Sequence, residues 1–173
     1  MGPQIILIAG IGNIFLGDDA FGVEVAQRLS QRSLPEGVRV EDFGIRGFDL
    51  TYALMGDHDA VVLVDAMPRG GAPGTLYVME PNSDETGEGQ DPDPVVDTHG
   101  MNPMKVLKMV KAMGGLPRRV LIVGCEPATF GPEEGQMGLS DPVQRAVGEA
   151  VILVESLVTQ LLNNIESVTA SRN

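Results

Sequence analysis

The stretch that decides the fold is residues 4–25, QIILIAGIGNIFLGDDAFGVEV. It opens with an unbroken apolar run at 5–9, which is typical of a strand buried on both faces of a sheet. Glycines at positions 10 and 12 follow, where the backbone can turn without interference from a Cβ atom. Two adjacent carboxylates, Asp18 and Asp19, then precede apolar residues at helical spacing. The stretch therefore predicts a strand, a glycine turn, an acidic pair and a helix, which together make half of a βαβ unit.

Four further strands are predicted downstream of this unit. Residues 38–42 alternate in polarity, 60–64 are apolar throughout, and 75–79 and 120–123 are short runs of the same kind. The connection at 68–74 is too short for a crossover helix, so we expect the fourth strand to run antiparallel. Helices are predicted after the first strand, at 48–55, after Asn102 and after Ser140.

This order of elements predicts an α/β fold. We expect a three-layer sandwich with a five-stranded, mostly parallel twisted sheet, one antiparallel strand, and helices on both faces. The 173 residues suit a single domain spanning 1–173. Residues 80–97 carry seven carboxylates and no Lys or Arg, so we expect a mobile acidic loop at about 80–98. A frayed tail is expected at about 167–173.

Composition restricts the classes of partner. Twelve Lys and Arg against 24 Asp and Glu give a net charge of −12, which argues against binding nucleic acid or an anionic membrane. No apolar run approaches the ~20 residues of a membrane span, and the first apolar run is too short for a signal peptide. The single Cys125 suits a reducing compartment, so we expect a cytoplasmic protein.

Polar residues stand at the predicted carboxyl ends of the parallel strands, where open α/β sheets bind ligands. Clustered carboxylates raise one another's pKa, and a bound cation would relieve that repulsion. Two carboxylates and one imidazole would form a divalent metal site with open positions for substrate or water. The residues in question are Asp18, Asp19, Asp42, Asp65 and Glu126, with His99 just ahead of a predicted helix.

Several of these residues also have a structural interpretation. One of Asp18 and Asp19 would cap the first helix, and Asp42 would satisfy backbone groups of the following turn. Glu126, which precedes Pro127, could equally stabilise its loop or contact the substrate. His58 is expected to be an exposed turn residue. Cys125 is expected to be a small buried hydrophobe, with a nucleophilic role left open.

Several common catalytic motifs are missing from the sequence. It contains no G-x-S-x-G, H-E-x-x-H, C-x-x-C or G-x-x-x-x-G-K-[ST] pattern. Phe15 occupies the position of the third glycine of a dinucleotide fingerprint, so a nucleotide-binding module is the weaker alternative. With two histidines and one cysteine, any metal would be bound weakly or supplied by another molecule.

In order and spacing, five segments resemble the hydrogenase maturation proteases, the endopeptidases that trim the large subunit of nickel-iron hydrogenases. The resemblance covers about residues 5–162. The segments are GIGNIFLGDDAFGV, DFGIRGFDL, VVLVDAM, HGMNP and VGCEP.

The resemblance implies a metal-binding and catalytic triad of Asp19, Asp65 and His99. In some relatives the first acidic residue is a glutamate, which is one methylene longer than Asp19. The implied reaction removes a short C-terminal extension from the hydrogenase large-subunit precursor once nickel has been inserted. Nickel would then arrive with the substrate, and no organic cofactor is expected. A non-proteolytic nickel carrier or assembly chaperone is the alternative.

Candidate substrate contacts lie in the loops around the same crevice. They are Asn13, Asp42, Arg46 and Glu126. Arg46 could grip a carboxylate of the substrate, and a solvent-exposed loop arginine is an equally good interpretation.

Overall fold

The computed structural model describes residues 5–82 and 101–171 of the chain. Five strands form one sheet in the order β2-β1-β3-β5-β4. β1 pairs in parallel with β2 and β3, β3 pairs in parallel with β5, and β4 runs antiparallel to β5. The predicted antiparallel fourth strand is thereby confirmed. The bounds are β1 Ile6–Ile11, β2 Val38–Gly44, β3 Ala60–Ala66, β4 Leu76–Met79 and β5 Val120–Cys125.

Helices cover both faces of the sheet, which confirms the three-layer α/β architecture. Successive residues of β1 point to opposite faces, as the pleat of a strand requires. Ile6 and Ile8 pack in a core with α1 and α4, whereas Leu7 and Ala9 pack in a second core with α2 and α3. The helices are α1 Phe21–Ser30, α2 Gly47–Leu54, α3 Pro103–Ala112 and α4 Asp141–Ala170.

Two glycines allow the first helix to lie against the strand ends. A Cβ atom at Gly22 would overlap the carbonyl oxygen of Val64, so α1 approaches the sheet more closely than any other residue would permit. Gly12 has a φ of 145°, and a Cβ there would overlap the carbonyl oxygen of Asp19. The predicted turn therefore begins at Gly12, because β1 continues through Gly10 to Ile11.

Each of the four parallel strands continues two residues beyond its predicted carboxyl end. β2 continues to Gly44 and β3 to Ala66, so Asp42 and Asp65 lie within the last residues of their strands. Asp65 is held in register opposite Gly124 of β5. The pairing of β3 with β5 therefore fixes the backbone position of Asp65 at the carboxyl end of a central strand.

The last helix includes part of the predicted tail. α4 continues to Ala170, so residues 167–170 belong to this helix, and fraying from about 167 stays a prediction. By length and composition its stretch Asp141–Val168 could cross a membrane, with a mean hydropathy of 1.3 over an 18-residue window. One face of the helix packs in the core against the sheet, as core helices of soluble proteins do, so this is weak evidence for a span.

His58 is buried, which contradicts the predicted exposed turn. It is 8% exposed, at the edge of the sheet where β3 begins, and neither ring nitrogen has a hydrogen-bond partner among the described residues. Burial lowers its pKa below 6.5, and the positive charge of Arg39 acts in the same direction. The ring is thus held in its neutral form by its surroundings.

Some predictions concern residues outside the described part. The acidic loop expected at about 80–98 falls almost wholly on residues 83–100, and so does His99. The end of the predicted tail, residues 172–173, lies outside as well.

Candidate functional site

A cleft of about 340 Å³ opens at the carboxyl ends of β1 and β3. Asp19 and Asp65 both line it, and they are 8% and 6% exposed. Much of the remaining lining is apolar and was not singled out from the sequence, because scattered apolar residues carry no local signal of a cleft. It includes Met67, Pro68, Met101, Met104 and Phe130.

The position of this cleft follows from the strand order. β1 lies between β2 and β3, so the chain leaves β1 toward one edge of the sheet and leaves β3 toward the other. Loops diverge at such a switch point and leave a crevice beyond the strand ends. Asp19 follows β1 and Asp65 belongs to β3, so both residues line this crevice.

Asp19 is held by a short 3-10 helical turn, Gly17–Ala20. Its Oδ2 accepts a hydrogen bond from the backbone N–H of Asn13 at 2.9 Å. Its own N–H donates to the carbonyl oxygen of Leu16 at 3.1 Å. The carboxylate is therefore anchored on the loop that leaves β1.

Asp18 is turned away from that cleft and fully buried. Its Oδ2 accepts hydrogen bonds from the N–H groups of Ala128 and Thr129 and from the hydroxyl of Ser140, at 2.8, 3.1 and 2.8 Å. Its Oδ1 accepts from the Ser140 N–H at 2.7 Å. Neither aspartate caps α1, whose first turn has no side-chain cap, so the capping prediction is wrong. Asp18 instead ties the loop after β1 to the β5–α4 loop.

The third side of the cleft is the start of α3. The side chain of Asn102 accepts a hydrogen bond from the Met104 N–H at 2.9 Å, which confirms the predicted helix cap. Met101, Asn102, Pro103 and Met104 all line the cleft. His99 precedes Met101 by two positions in the sequence, and its position belongs to the part of the chain outside the description.

Glu126 lies just after β5 and is 6% exposed. It accepts hydrogen bonds from the N–H groups of Arg69 and Gly70 at 2.7 and 3.2 Å, and from the hydroxyl of Tyr77 at 2.9 Å. Burial acts to raise its pKa, but these hydrogen bonds outweigh that effect and the pKa lies below the usual value. Glu126 thus organises the β3–β4 connection, and it does not line the cleft described above.

Cys125 ends β5 and is fully buried. Burial raises the pKa of its thiol to about 12, and the charges of Asp18 and Glu126 add to the shift. A thiol with this pKa is protonated at neutral pH and is a poor nucleophile. The prediction of a small buried hydrophobe fits this environment.

The other three candidate substrate contacts share a second cavity of about 350 Å³. Asn13, Asp42 and Arg46 all line it. The Oδ1 of Asp42 accepts a hydrogen bond from the Gly44 N–H at 2.8 Å, so this residue also has the turn role considered for it. Arg46 forms an exposed ion pair with Asp49 at 3.1 Å.

Donor chemistry limits what metal this cleft could hold. Asp19 and Asp65 supply two carboxylates, and no group of three or more His, Cys, Asp or Glu suited to a metal occurs within 5–82 and 101–171. Two buried carboxylates fit one side of a divalent ion and leave its remaining positions to other groups.

A family model, sequence relatives and solved structures all relate this chain to hydrogenase maturation proteins, and the similarity extends over most of its length. The family model described as hydrogenase maturation protease matches residues 23–157. HupM, a hydrogenase expression/formation protein of Azotobacter chroococcum, is 31% identical over 156 residues, which cover 90% of this chain and 72% of that protein. The solved structure of the hydrogenase maturating endopeptidase HybD from Escherichia coli has a TM-score of 0.72 at 27% identity, covering 91% of this chain and 93% of that one.

A second solved structure, a [NiFe] hydrogenase maturation protease HycI from Thermococcus kodakarensis, has a TM-score of 0.65 at 26% identity. The alignment covers 91% of this chain and 94% of the Thermococcus chain. The match to the family model, at residues 23–157, includes β3 with Asp65 and the start of α3. The chain belongs to the hydrogenase maturation proteases, a family of peptide-bond hydrolases.

Proposed function

We propose that this protein removes the C-terminal extension of a nickel-iron hydrogenase large-subunit precursor after nickel has been inserted. The observation that carries the proposal is the cleft in which Asp19 and Asp65, from two separate strand ends, lie together. The cleft would receive a metal ion that belongs to the precursor, and the coordination positions not filled by the two aspartates would remain for other groups. The name of the Thermococcus neighbour, a [NiFe] hydrogenase maturation protease, supports this class of substrate.

In this proposal Asp19, Asp65 and His99 bind the nickel of the precursor and place the scissile peptide bond beside it. The nickel would supply Lewis-acid polarisation of the scissile carbonyl or activation of a water molecule. One of the two carboxylates takes up the proton of the attacking water as general base. Their burial in a largely apolar cleft strengthens these electrostatic interactions.

The second cavity would hold precursor residues next to the cut. The backbone N–H of Asn13 binds the Oδ2 of Asp19, so this cavity and the cleft share one loop. Asp42 and Arg46 offer opposite charges within the cavity. An extended peptide could therefore contact Asn13, Asp42 and Arg46 while its scissile bond lies at Asp19 and Asp65.

The test is incubation of the full chain with nickel-loaded and with nickel-free precursor, read by mass spectrometry for loss of the C-terminal tail. We expect cleavage of the nickel-loaded precursor alone. Single Asp19→Ala, Asp65→Ala and His99→Ala variants should stop cleavage while remaining folded by circular dichroism. Asp57→Ala, which removes an exposed carboxylate ahead of β3, serves as the matched control and should cleave normally.

The proposal fails if the nickel-loaded precursor keeps its tail in the presence of folded wild-type protein. Equal cleavage of both forms of the precursor would disprove the nickel requirement only. Cleavage by all three alanine variants would show that the triad is assigned to the wrong residues.

A further inference from the structure

An apolar groove of about 610 Å³ runs between α2 and α3, outside the cleft. Thr51 and Val106 form its buried floor, and the Thr51 hydroxyl approaches the sulfur of Met109 at 3.9 Å. Its walls are exposed apolar side chains: Phe48 is 80% exposed and Ile45 is 56% exposed. Large apolar side chains exposed together on a surface mark a binding site for another molecule.

The groove is continuous with the catalytic cleft. Met101 and Asn102, at the start of α3, line both of them. A polypeptide that lies in the cleft can therefore continue into the groove without leaving the protein surface. Another segment of the protein that is bound in the cleft is therefore the occupant that most readily reaches the groove.

The charge of this region is opposite to that of the whole protein. All three lysines of the chain, Lys105, Lys108 and Lys111, belong to α3, and residues 101–125 contain no Asp or Glu. Lys105 is the only charged residue among the described residues that line the groove. In a chain of net charge −12, this local excess of positive charge favours an acidic partner segment.

We infer that the groove between α2 and α3 is a docking site for a segment of the precursor that combines apolar side chains with at least one carboxylate. The apolar side chains lie between Phe48 and Met109, and the carboxylate pairs with Lys105. The inference rests on the proposed function, because it assumes that the bound protein is the precursor. Besides the cleft and the second cavity, it adds a contact surface outside the cleft that determines which precursor is accepted.

Matched pairs of variants test the inference. Phe48→Ser alters the groove, whereas Tyr52→Ser alters a residue of α2 that is also 80% exposed but does not line it. Lys105→Glu reverses the charge of the groove, whereas Lys108→Glu reverses a charge of α3 that lies outside the lining. For each variant, KM and kcat are measured with nickel-loaded precursor. The Kd for that precursor is measured in an Asp65→Ala background, in which no cleavage is expected.

Phe48→Ser and Lys105→Glu should each raise KM and Kd by about tenfold or more, with kcat retained. Tyr52→Ser and Lys108→Glu should stay within about twofold of wild type. Added salt should weaken precursor binding by wild type more than by Lys105→Met, because the ion pair is screened.

Different failures point to different errors. If wild type cleaves the precursor and Phe48→Ser has the same KM and Kd, the docking site is wrong and the proposed function stands. Unchanged binding by Lys105→Glu and Lys105→Met would overturn the acidic character of the segment. If wild type neither binds nor cleaves the precursor, both the function and the docking site are wrong.

Discussion

Asp18 binds Ser140 through both oxygens of its carboxylate, although the two residues are 122 positions apart in the sequence. The Ser140 N–H donates to Oδ1 at 2.7 Å and its hydroxyl donates to Oδ2 at 2.8 Å. Nearby, Gly17 N–H donates to the Gln136 carbonyl and Asp18 N–H to the Thr129 carbonyl. The loop that presents Asp19 is thereby joined to the loop that enters α4.

Replacing Asp18 by Asn should therefore affect both stability and processing. In the variant, the amide nitrogen faces N–H donors and cannot accept their hydrogen bonds. We expect the free energy of unfolding to fall by about 3 kcal/mol. For a chain of this length that corresponds to a fall of about 6–12 °C in Tm. Asp141→Asn, an exposed aspartate at the start of α4, is the control and should lose less than about 1 kcal/mol. A wild-type Tm for Asp18→Asn would show that these hydrogen bonds contribute nothing.

Replacing Gly12 by Ala should displace Asp19 from the cleft. The new Cβ atom would overlap the Asp19 carbonyl oxygen, and the φ of 145° is unfavourable for alanine. We expect a loss of at least about 3 kcal/mol in the free energy of unfolding and strongly reduced processing. Gly114→Ala is the matched control: its φ is 84°, but nothing lies within 4 Å. It should cost only about 1–2 kcal/mol and leave processing unchanged.

Replacing Glu126 by Gln should loosen the connection between β3 and β4. Part of the carboxylate becomes an amide NH₂, which cannot accept the hydrogen bonds that Arg69, Gly70 and Tyr77 donate. Trypsin should then cut after Arg69 faster in the variant than in wild type, as followed by mass spectrometry. Glu134→Gln, an exposed glutamate, should leave the rate unchanged. Equal rates for Glu126→Gln and wild type would contradict the role of Glu126 in this loop.

The stability of the protein should fall in mildly acidic solution because of His58. Burial and the positive charge of Arg39 lower its pKa in the folded protein. The negative charges of Asp57 and Asp59 raise it, but the net shift is downward. Below about pH 6.5 the unfolded chain takes up a proton that the folded chain does not bind, so unfolding becomes more favourable. His58→Leu should remove this part of the pH dependence, measured by urea unfolding at about pH 7.5 and about pH 5.5. Parallel losses in wild type and variant would mean that His58 is not responsible.

Much of the architecture follows from local sequence patterns. The apolar run at 60–64 predicts a buried parallel strand, and the short connection at 68–74 predicts that β4 is antiparallel. The cap at Asn102 is a local hydrogen bond to Met104, so a short motif is enough to predict it. These features depend on residues close together in the chain.

Residue patterns alone do not separate the roles of the two neighbouring aspartates, although the family resemblance selects Asp19 for the metal site. Asp18 and Asp19 have the same side chain and adjacent positions, and a helix follows both. Their roles differ because the backbone of one turn directs Asp18 toward Ser140 and leaves Asp19 lining the cleft. The burial of His58 is likewise absent from the local pattern, and the ring lies close enough to Arg39 of β2 for that charge to lower its pKa.

The sequence alone therefore determined the strands, the helices, the resemblance to a protease family and the set of candidate acidic residues, since periodicity and motifs are local. Only the tertiary structure decided that Asp18 binds Ser140 and does not cap α1, which glutamate supports a loop, and that α2 and α3 enclose a groove beside Lys105. Those features arise where segments distant in the chain meet. Their geometry depends on how closely the helices pack against the sheet, which no local pattern specifies.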